Sequence, residues 1–549
     1  MAVKLTEERI RRAVKNADRR YYDMIADYVR EQRAEAASRK GKRTMEKREN
    51  KRKIGKIAIG AAITAAVLGA GGIAAAVAMR GSQGGNIFDR GSSNEPAVVS
   101  VQEQPEALRL TDDTRTAAPY HISRERYRIY DMAWFAETSD GLYYMQDAFE
   151  LNYDPDNTES FPQTTQNEHS CYYYQDKETG ECVPLCARAN CLHDGNPYCV
   201  ASTKAYAPGR FISYDDQLYM ITQPLNEDGS WGGGPLVLRY ANDGTRIEEL
   251  MRFSFPYETY AARVVDVILY RGFLFASVGL DASNYDIAGS PHRRGSAIVC
   301  YELATGKGSI LAINMPEPNE SRDCGSYGMI AGYGDSLILG SVKQLDLHSF
   351  EIKTLTQVMD TNNANIQFGK DACFVLDSDI NGTKLMRLDL LTGEETRLDR
   401  TGIKGYPDWN DYSVNDDYLL FISTPAVGKD PNFVLYLCDY DCHVVQTVTA
   451  PDFMESQTDS FLRGDYLYVM QGNSERLVTH TQLENGEYET QWRSDIETMD
   501  PNDYLYRIRV SDLLAGKGSA SEDWEKFLQV TDITLKAAHI DDNMQIIYH

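Results

Sequence analysis

The stretch CVPLCARANCLHDGNPYCV, residues 182–200, places four cysteines and one histidine within nineteen residues. Thiolates and imidazoles are ligands that zinc prefers, and two neighbouring thiols can instead form a disulfide. The third outcome is that the thiols stay unmodified. Disulfides persist outside the cell and are rare inside it, so the choice depends on the compartment in which these residues reside.

A candidate membrane anchor bears on the compartment. Residues 57–79 form an uncharged run of 23 residues, which as a helix is long enough to cross a hydrocarbon core of about 30 Å. A buried core helix and a cleaved signal peptide are the alternatives. A signal peptide would begin close to the N-terminus, whereas 56 mostly polar residues precede this run. The sequence therefore predicts a transmembrane helix over residues 54–80 that stays in the lipid bilayer as a signal-anchor.

The distribution of charge predicts the orientation of that helix. Residues 1–56 carry a net charge of +10 and the remaining residues one of −35. Lysine and arginine crowd the N-terminal flank of the apolar run, and only Arg80 and Arg90 follow it closely. We expect a single-pass cell-membrane protein with a cytoplasmic N-terminus and an extracellular acidic part. All ten cysteines lie beyond residue 170 and hence outside. The basic run fits lipid contact, and we predict no nucleic-acid partner.

Two segments flank the predicted helix. We predict that residues 1–53 form a cytoplasmic basic helical segment. The helix is indicated by apolar side chains that recur at alternating spacings of three and four residues between Ile10 and Tyr28. This apolar face of the helix, within residues 5–30, must be covered by a cytosolic partner, a second copy of the chain or the membrane surface. Residues 81–120 are rich in Gly, Ser, Gln, Pro and acidic residues, which predicts a flexible extracellular linker.

From residue 121 onwards, two kinds of hairpin alternate. One pairs a polar turn with a short apolar strand, as in SDGLYYM, YDDQLYM, YRGFLFA, YGDSLIL, GKDACFV, NDDYLLF, RGDYLYV and DDNMQII. The other kind includes MRLDLLTGEETRL. Two hairpins give four strands per unit, so we predict an all-β ectodomain over residues 121–549, a β-propeller. Eight hairpins of the first kind against seven of the second leave seven or eight blades, with residues 96–120 available to complete the last. A β-sandwich array is the rival fold.

The repeated phrase carries a family resemblance. LxRLDLxTGE, at residues 385–394, resembles the repeats of TolB-like propellers, which implies a propeller over residues 121–549. Five tryptophans without regular Trp-Asp pairs argue against the WD40 kind. A short inner segment, one span and an outer domain form a layout similar to that of transmembrane anti-sigma factors. The zinc-type signature of that group is missing, since no cysteine or histidine precedes His121.

Spacing suggests how the cysteines divide. Cys171 and Cys182 flank one predicted hairpin turn, and Cys438 and Cys442 flank another, so each pair is a candidate disulfide. The remaining residues form a Cys3His set for a zinc ion: Cys186, Cys191, His193 and Cys199. We favour disulfides over zinc, and zinc over unmodified thiols. In every case we expect a structural staple and not a catalyst.

A calcium loop is a second candidate metal site. Asp377, Asp379 and Asn381 alternate ahead of Gly382, as oxygen ligands do in calcium-binding loops. The ninth and twelfth positions, which carry acids in such loops, are leucines here. An ordinary Asn-Gly hairpin turn explains the same letters and is the favoured interpretation.

The connections between hairpins suggest where function lies. The long insertions, residues 146–170, 186–210, 222–235, 278–296 and 472–503, all fall between hairpins and hence on one face. No nucleophile elbow, HExxH, phosphate loop or kinase signature occurs. We therefore expect a propeller that binds an extracellular ligand or protein, with signalling through the cytoplasmic helix. The alternatives are an anchored surface hydrolase acting on glycans or peptides and a non-catalytic envelope scaffold. An enzyme is the less expected class.

Overall fold

The structure is a computed structural model. It describes residues 97–100, 108–112, 135–153, 163–166, 171–193, 199–202, 205–226, 232–255, 261–282, 293–316, 322–356, 365–379, 382–399, 402–403, 406–424, 434–451, 453, 460–470, 478–482, 488–492, 499–500, 502–537, 539–540 and 546–547. The predicted cytoplasmic segment and the predicted transmembrane helix lie outside these residues. Within the described ranges, no helix is long and apolar enough to cross a membrane.

Seven four-stranded antiparallel sheets follow one another along the chain, and each is one blade of a β-propeller. Blade one consists of β2 (Phe135–Glu137), β3 (Gly141–Tyr153), β5 (Cys171–Asp176) and β6 (Cys182–Pro184), and blade two of β7 (Ile212–Tyr214), β8 (Gln217–Thr222), β9 (Leu236–Tyr240) and β10 (Ile247–Ser254). Blade three consists of β11 (Ala261–Tyr270), β12 (Phe273–Asp281), β13 (Arg293–Glu302) and β14 (Gly308–Asn314). Blade four consists of β16 (Ile330–Tyr333), β17 (Ser336–Leu339), β18 (Lys343–Asp346) and β19 (Ile352–Thr354).

The remaining three blades have the same order, in which each strand of the blade pairs with the blade's next strand along the chain. Blades five to seven are β20 (Asn365–Phe368), β21 (Ala372–Asp379), β22 (Gly382–Asp389) and β23 (Glu395–Leu398); β24 (Tyr406–Val414), β25 (Leu419–Thr424), β26 (Val434–Cys438) and β27 (Val444–Thr449); and β28 (Ser460–Arg463), β29 (Tyr466–Met470), β32 (Tyr504–Arg509) and β33 (Glu525–Gln529).

Short elements lie outside this repeat. They are β1 (Ala97–Ser100), β4 (Gln163–Gln166), β15 (Arg322–Asp323), β30 (Val478–Gln482), β31 (Tyr488–Trp492), β34 (Thr531–Ala537), β35 (His539–Ile540), β36 (Ile546–Ile547), the helix α1 (Val510–Leu514) and a 3-10 turn at Ser521–Asp523. The all-β propeller is thus confirmed, and its blade number is seven.

Each pair of neighbouring blades is joined by its own apolar cluster, which we call a seam. The seven seams run between blades one and two, two and three, and so on to seven and one. Successive side chains of a blade's second strand point to opposite faces of the sheet, so one strand contributes apolar residues to the seams on both sides of its blade. In β12, Leu274 and Ala276 face blade two, whereas Phe273 and Phe275 face blade four. A period of two, with both faces apolar, is therefore what the propeller requires of its strands.

A recurring turn ends the third strand of several blades. The carboxylate of Asp389 accepts the N–H of Leu391 at 3.0 Å and both the N–H and the hydroxyl of Thr392, at 2.8 and 3.0 Å. These hydrogen bonds, that from the Thr392 N–H first, hold the pKa of Asp389 below its ordinary value. The next residue is left-handed, with φ +75° at Gly393, a conformation that glycine adopts without steric cost. The TGE sequence thus fits the backbone of this hairpin, because Thr392 bonds to Asp389 and Gly393 takes the left-handed conformation.

Two expectations about how the ring is completed are wrong. DDNMQII does not start an eighth blade, because among the described strands β35 and β36 pair with each other and with no other strand. The described strand of residues 96–120 does not complete the last blade: β1 runs parallel to β10 on the outer edge of blade two. Parts of the predicted flexible linker also contact the propeller, since Leu108 and Leu110 pack on the seam between blades three and four. A strand pattern identifies hairpins but not the sheet that an isolated strand will join.

After blade seven the chain returns to blade one. The strand β34 runs parallel to the far end of β3, in register from Asp147 opposite Thr531 to Tyr153 opposite Ala537. The amide of Gln175 in blade one donates to the carbonyl of Phe527 in blade seven at 3.2 Å. Backbone pairing and hydrogen bonding thus add to the apolar seam that closes the ring.

One buried carboxylate ties three blades together. Asp266, on the innermost strand of blade three, is 2% exposed. Its oxygens accept the N–H of Val267 at 3.0 Å and that of Ile330 of blade four at 2.9 Å, and Arg210, just before blade two, lies at 3.5 Å. Burial raises the pKa of Asp266 to about 7, against the opposing effect of Arg210.

We expect the Asp266→Asn variant to lose a pH dependence that the unaltered protein has. The folded-state pKa of about 7 lies above the ordinary value of 3.8, so the folded protein keeps a proton that the unfolded chain releases. This contribution to stability is complete below about pH 4 and is lost as the pH rises through about 7. Its size is about 1.4 kcal/mol for each unit of pKa difference. Thermal midpoints of both proteins from pH 4 to pH 8 would measure it, and parallel curves would contradict it.

Candidate metal centre

The connection from β6 to β7 brings the predicted Cys3His set together. The ligand atoms of Cys186, Cys191, His193 and Cys199 all lie within 4.8 Å of one another. The Nδ1 atom of His193 lies 3.3 Å from the Sγ atom of Cys199. In a tetrahedral zinc site, bonds of about 2.3 Å to sulfur and 2.0–2.1 Å to nitrogen place ligand atoms roughly 3.5–3.8 Å apart. The four ligand atoms are therefore close enough together for one zinc ion to bind all of them.

Backbone amides support the three sulfur atoms. The N–H of Arg188 donates to Cys186, that of His193 to Cys191, and that of Ser202 to Cys199. The Ser202 hydroxyl also donates to Cys199. Hydrogen bonds of this kind orient metal ligands and stabilise charge on sulfur. Within this connection, the backbone is left-handed at Asn190, with φ +61°, and at His193, with φ +52°.

Hydrogen bonds within the cluster and burial shift the pKa values of its three cysteines. A hydrogen bond from Cys186 lowers the pKa of Cys199 to about 3, with further help from His193 and Ser202. The same hydrogen bond raises the pKa of Cys186, and burial raises that of Cys191.

Blade two contributes to the support of this connection. The N–H of Ala187 donates to the carbonyl of Gly244, in the turn between β9 and β10, at 3.1 Å. Gly244 has φ +69°, and a Cβ atom there would lie 2.7 Å from the backbone N of Cys186. Only glycine lets the turn approach so closely. Sequence reasoning missed Gly244, because ANDGT reads as an ordinary hairpin turn and the contact joins residues far apart in the chain.

Blade one holds both ends of the connection. The N–H of Leu185 donates to the carbonyl of Tyr172 at 2.7 Å, and the N–H of Tyr172 donates to the carbonyl of Ala201 at 2.8 Å. The thiol of Cys171 donates to the carbonyl of His193 at 3.6 Å. The ligands are therefore anchored to β5 on one side and to blade two on the other.

The disulfide predictions fare differently from the cluster. The ten cysteines, all within the described residues, are present as thiols. Cys182 pairs with Gln175 in the sheet, four residues along β5 from Cys171, which corresponds to about 13 Å of strand. A bridge between Cys171 and Cys182 is therefore wrong, because a disulfide needs Cα atoms within roughly 7 Å. Cys438 and Cys442 are both buried in the seam between blades five and six.

The candidate calcium ligands are not brought into a described site. The register pairs Asp379 with Gly382, so β21 and β22 are joined by two residues. Asn381 and the side chains of Asp377 and Asp379 lie outside the described residues. The calcium site stays a prediction.

Comparison with known proteins identifies no family. No family model matches the chain, and no curated protein sequence is similar to it. Among solved structures, a puromycin hydrolase mutant matches at 10% identity and a TM-score of 0.37, covering 72% of this chain and 55% of that one. TolB from Acinetobacter baumannii matches at 10% identity and a TM-score of 0.24, covering 72% and 82%. An alpha-L-arabinofuranosidase from Fusarium graminearum matches at 8% and 0.27, covering 56% and 94%.

This chain thus spans about half the length of the puromycin hydrolase. Identities and TM-scores this low say nothing about activity.

The contact between Gly244 and Cys186 leads to a prediction with a matched control. Gly244→Ala would place a methyl group against the Cys186 backbone, at 2.7 Å, and Gly180→Ala would add one at φ +68° with no atom within 4 Å. Both substitutions incur about 1 kcal/mol for the left-handed backbone, so we expect Gly244→Ala alone to lose roughly 1–3 kcal/mol more from the clash. Thermal or denaturant unfolding measures the difference. Equal losses would show that the close approach is unimportant.

Proposed function

We propose that this protein is a single-pass membrane protein whose extracellular propeller binds a ligand or protein through one of its two faces. The observation that carries the proposal is the difference between those faces. In a four-stranded antiparallel blade, the first and third turns emerge on one face, and the remaining connections emerge on the other. We call them the short-turn face and the long-connection face.

The short-turn face consists largely of tight turns. Two residues join β7 to β8, β11 to β12, β16 to β17 and β28 to β29. The exception is residues 510–524, which include α1. On the long-connection face, 13 residues join β8 to β9 (223–235) and 33 join β29 to β32 (471–503). Blade five bridges the same place with two residues, 380 and 381, so the fold itself does not need the longer ones. Long connections on a rigid scaffold are where binding residues concentrate.

The anchor and orientation rest on the sequence. The uncharged run of residues 57–79, with basic residues before it and an acidic chain after it, supports a helix over 54–80 and a cytoplasmic N-terminus. The apolar pattern within residues 5–30 supports a cytosolic partner or self-association, through which binding outside would be sensed inside. The layout similar to transmembrane anti-sigma factors supports the same arrangement.

A binding role fits the described side chains better than hydrolysis does. The one close cysteine and histidine pair that resembles a nucleophile and its base, Cys199 and His193, is unsuited to attack on a substrate because Cys199 is 0% exposed. A nucleophile must be reachable by the bond that it attacks. The proposed class is therefore a binding protein, with a surface hydrolase of glycans or peptides as the outcome that turnover would reveal.

Shortened connections test the binding face. The full chain in lipid nanodiscs would be screened on glycan and peptide arrays. Two variants would replace residues 283–292 or 473–498 by Asn-Gly, a pair that closes hairpins tightly. The first graft follows the N–H of Ala282, which donates to the carbonyl of Arg293 at 2.9 Å, and the second retains Asp503, whose carbonyl accepts from Val530 at 2.9 Å.

We expect at least one shortened variant to bind its array ligand with an affinity that is lower by a factor of about ten or more. Its unfolding temperature should stay the same. The control is Asp416→Ala with Asp417→Ala, two exposed residues in the turn between β24 and β25 on the short-turn face, which should bind normally. Unchanged binding by both shortened variants would contradict the assignment of the face, and turnover of an array ligand would replace binding by catalysis.

The orientation has its own test. With an epitope tag ahead of Met1, protease added to intact cells should degrade the propeller and leave the tag protected. Permeabilised cells should lose both. A tag that is cleaved in intact cells would reverse the proposed topology.

A further inference from the structure

We propose that Cys186, Cys191, His193 and Cys199 bind one zinc ion in a closed, structural site that fastens blade one to blade two. The convergence of four ligand atoms within 4.8 Å is the primary observation. This inference is independent of what the long-connection face binds.

The donor set selects the metal. Three thiols and one imidazole are soft and borderline ligands, which favour zinc over calcium, magnesium or manganese. Structural zinc sites are typically tetrahedral, and Cys3His is among their usual compositions. The arrangement of one Sγ–Nδ1 distance of 3.3 Å and three mutually adjacent sulfur atoms fits that geometry.

The site is closed to chemistry at the metal. Four protein ligands fill a tetrahedral zinc ion, so no position remains for water or substrate. Cys199 is fully buried, and Cys186, Cys191 and His193 are partly buried. A zinc ion here would therefore act on the fold and not on a substrate.

The surroundings are built as a ligand shell. Each sulfur accepts a backbone N–H from two or three residues further along the chain, and the carbonyl of His193 accepts the Cys171 thiol. Such contacts fix the direction of the ligands before the metal arrives. Thiols that merely lie near one another in a loop do not require a backbone N–H directed at each sulfur atom, whereas metal ligands commonly have such hydrogen bonds.

The position of the site explains what the metal would stabilise. Leu185, one residue before Cys186, and Val200, one residue after Cys199, are both members of the seam between blades one and two. Ala187 is hydrogen-bonded to Gly244 of blade two. The described residues between Cys186 and Cys199 are not members of that seam, and Leu192 is 82% exposed. A zinc ion would hold this connection where side-chain burial does not.

The experiment uses the full chain, purified with a reductant, together with two single-cysteine variants. Cys191→Ser removes a ligand, and Cys324→Ser removes a partly buried thiol outside the cluster. We expect about one zinc per chain in the unaltered protein and in Cys324→Ser, and a several-fold lower content in Cys191→Ser. A chelator should lower the thermal midpoint of the first two proteins and leave that of Cys191→Ser unchanged.

Cobalt provides a readout that does not depend on stability. Exchange of zinc for cobalt should give the visible absorption of a tetrahedral cobalt thiolate in the unaltered protein, and Cys191→Ser should lack it. Less than about a tenth of a zinc per chain, with no response to the chelator, would overturn the proposal. A disulfide within residues 186–199 in the metal-free, unreduced protein would then identify the alternative, and iron in place of zinc would overturn the choice of metal.

Discussion

The packing of one blade's apolar face against the next is the constraint on which the rest of the structure depends. Each blade contributes apolar side chains to the seams on both of its sides, as β12 shows with Leu274 in one seam and Phe275 in the other. A sheet of this kind cannot be stable alone, because one face would always be exposed to water. Seven seams for seven blades leave no apolar face uncovered among the described strands, and the ring follows from that requirement.

The cysteine-rich connection shows how a propeller can fasten a segment that the seams do not hold. The described residues between Leu185 and Val200 are not members of the apolar seam, and hydrogen bonds to blade two and to β5 hold the connection instead. A metal site is an economical solution at such a place, since four side chains and one ion fix a loop without a hydrophobic core. Gly244 supplies no ligand atom, but it supports the same connection, because the absence of a side chain lets the backbone of Cys186 lie close to it.

Local patterns predicted the repeating parts of the fold well and the exceptional parts poorly. The alternating strands and the Asp-x-x-Thr-Gly turns predict hairpins because both depend on neighbours in the chain. DDNMQII has the same pattern, yet among the described strands its hairpin pairs with no second hairpin, and pattern alone cannot show that. The Cys171 and Cys182 pairing failed for a related reason: closeness in sequence around a turn does not fix the register. The Cys3His cluster was visible in the spacing, whereas its supporting glycine and amides depend on blade two and on backbone geometry.

The way the ring closes has a consequence for how the protein is made. The last seam needs Phe461, Tyr468 and Phe527, and β3 receives β34 only when residue 531 has emerged. Phe135 and Tyr144, by contrast, are synthesised hundreds of residues earlier. Until its last blade is made, the chain carries that uncovered aromatic face and an unpaired strand edge, and both features promote aggregation. The propeller is therefore most vulnerable to aggregation before its C-terminal residues are synthesised.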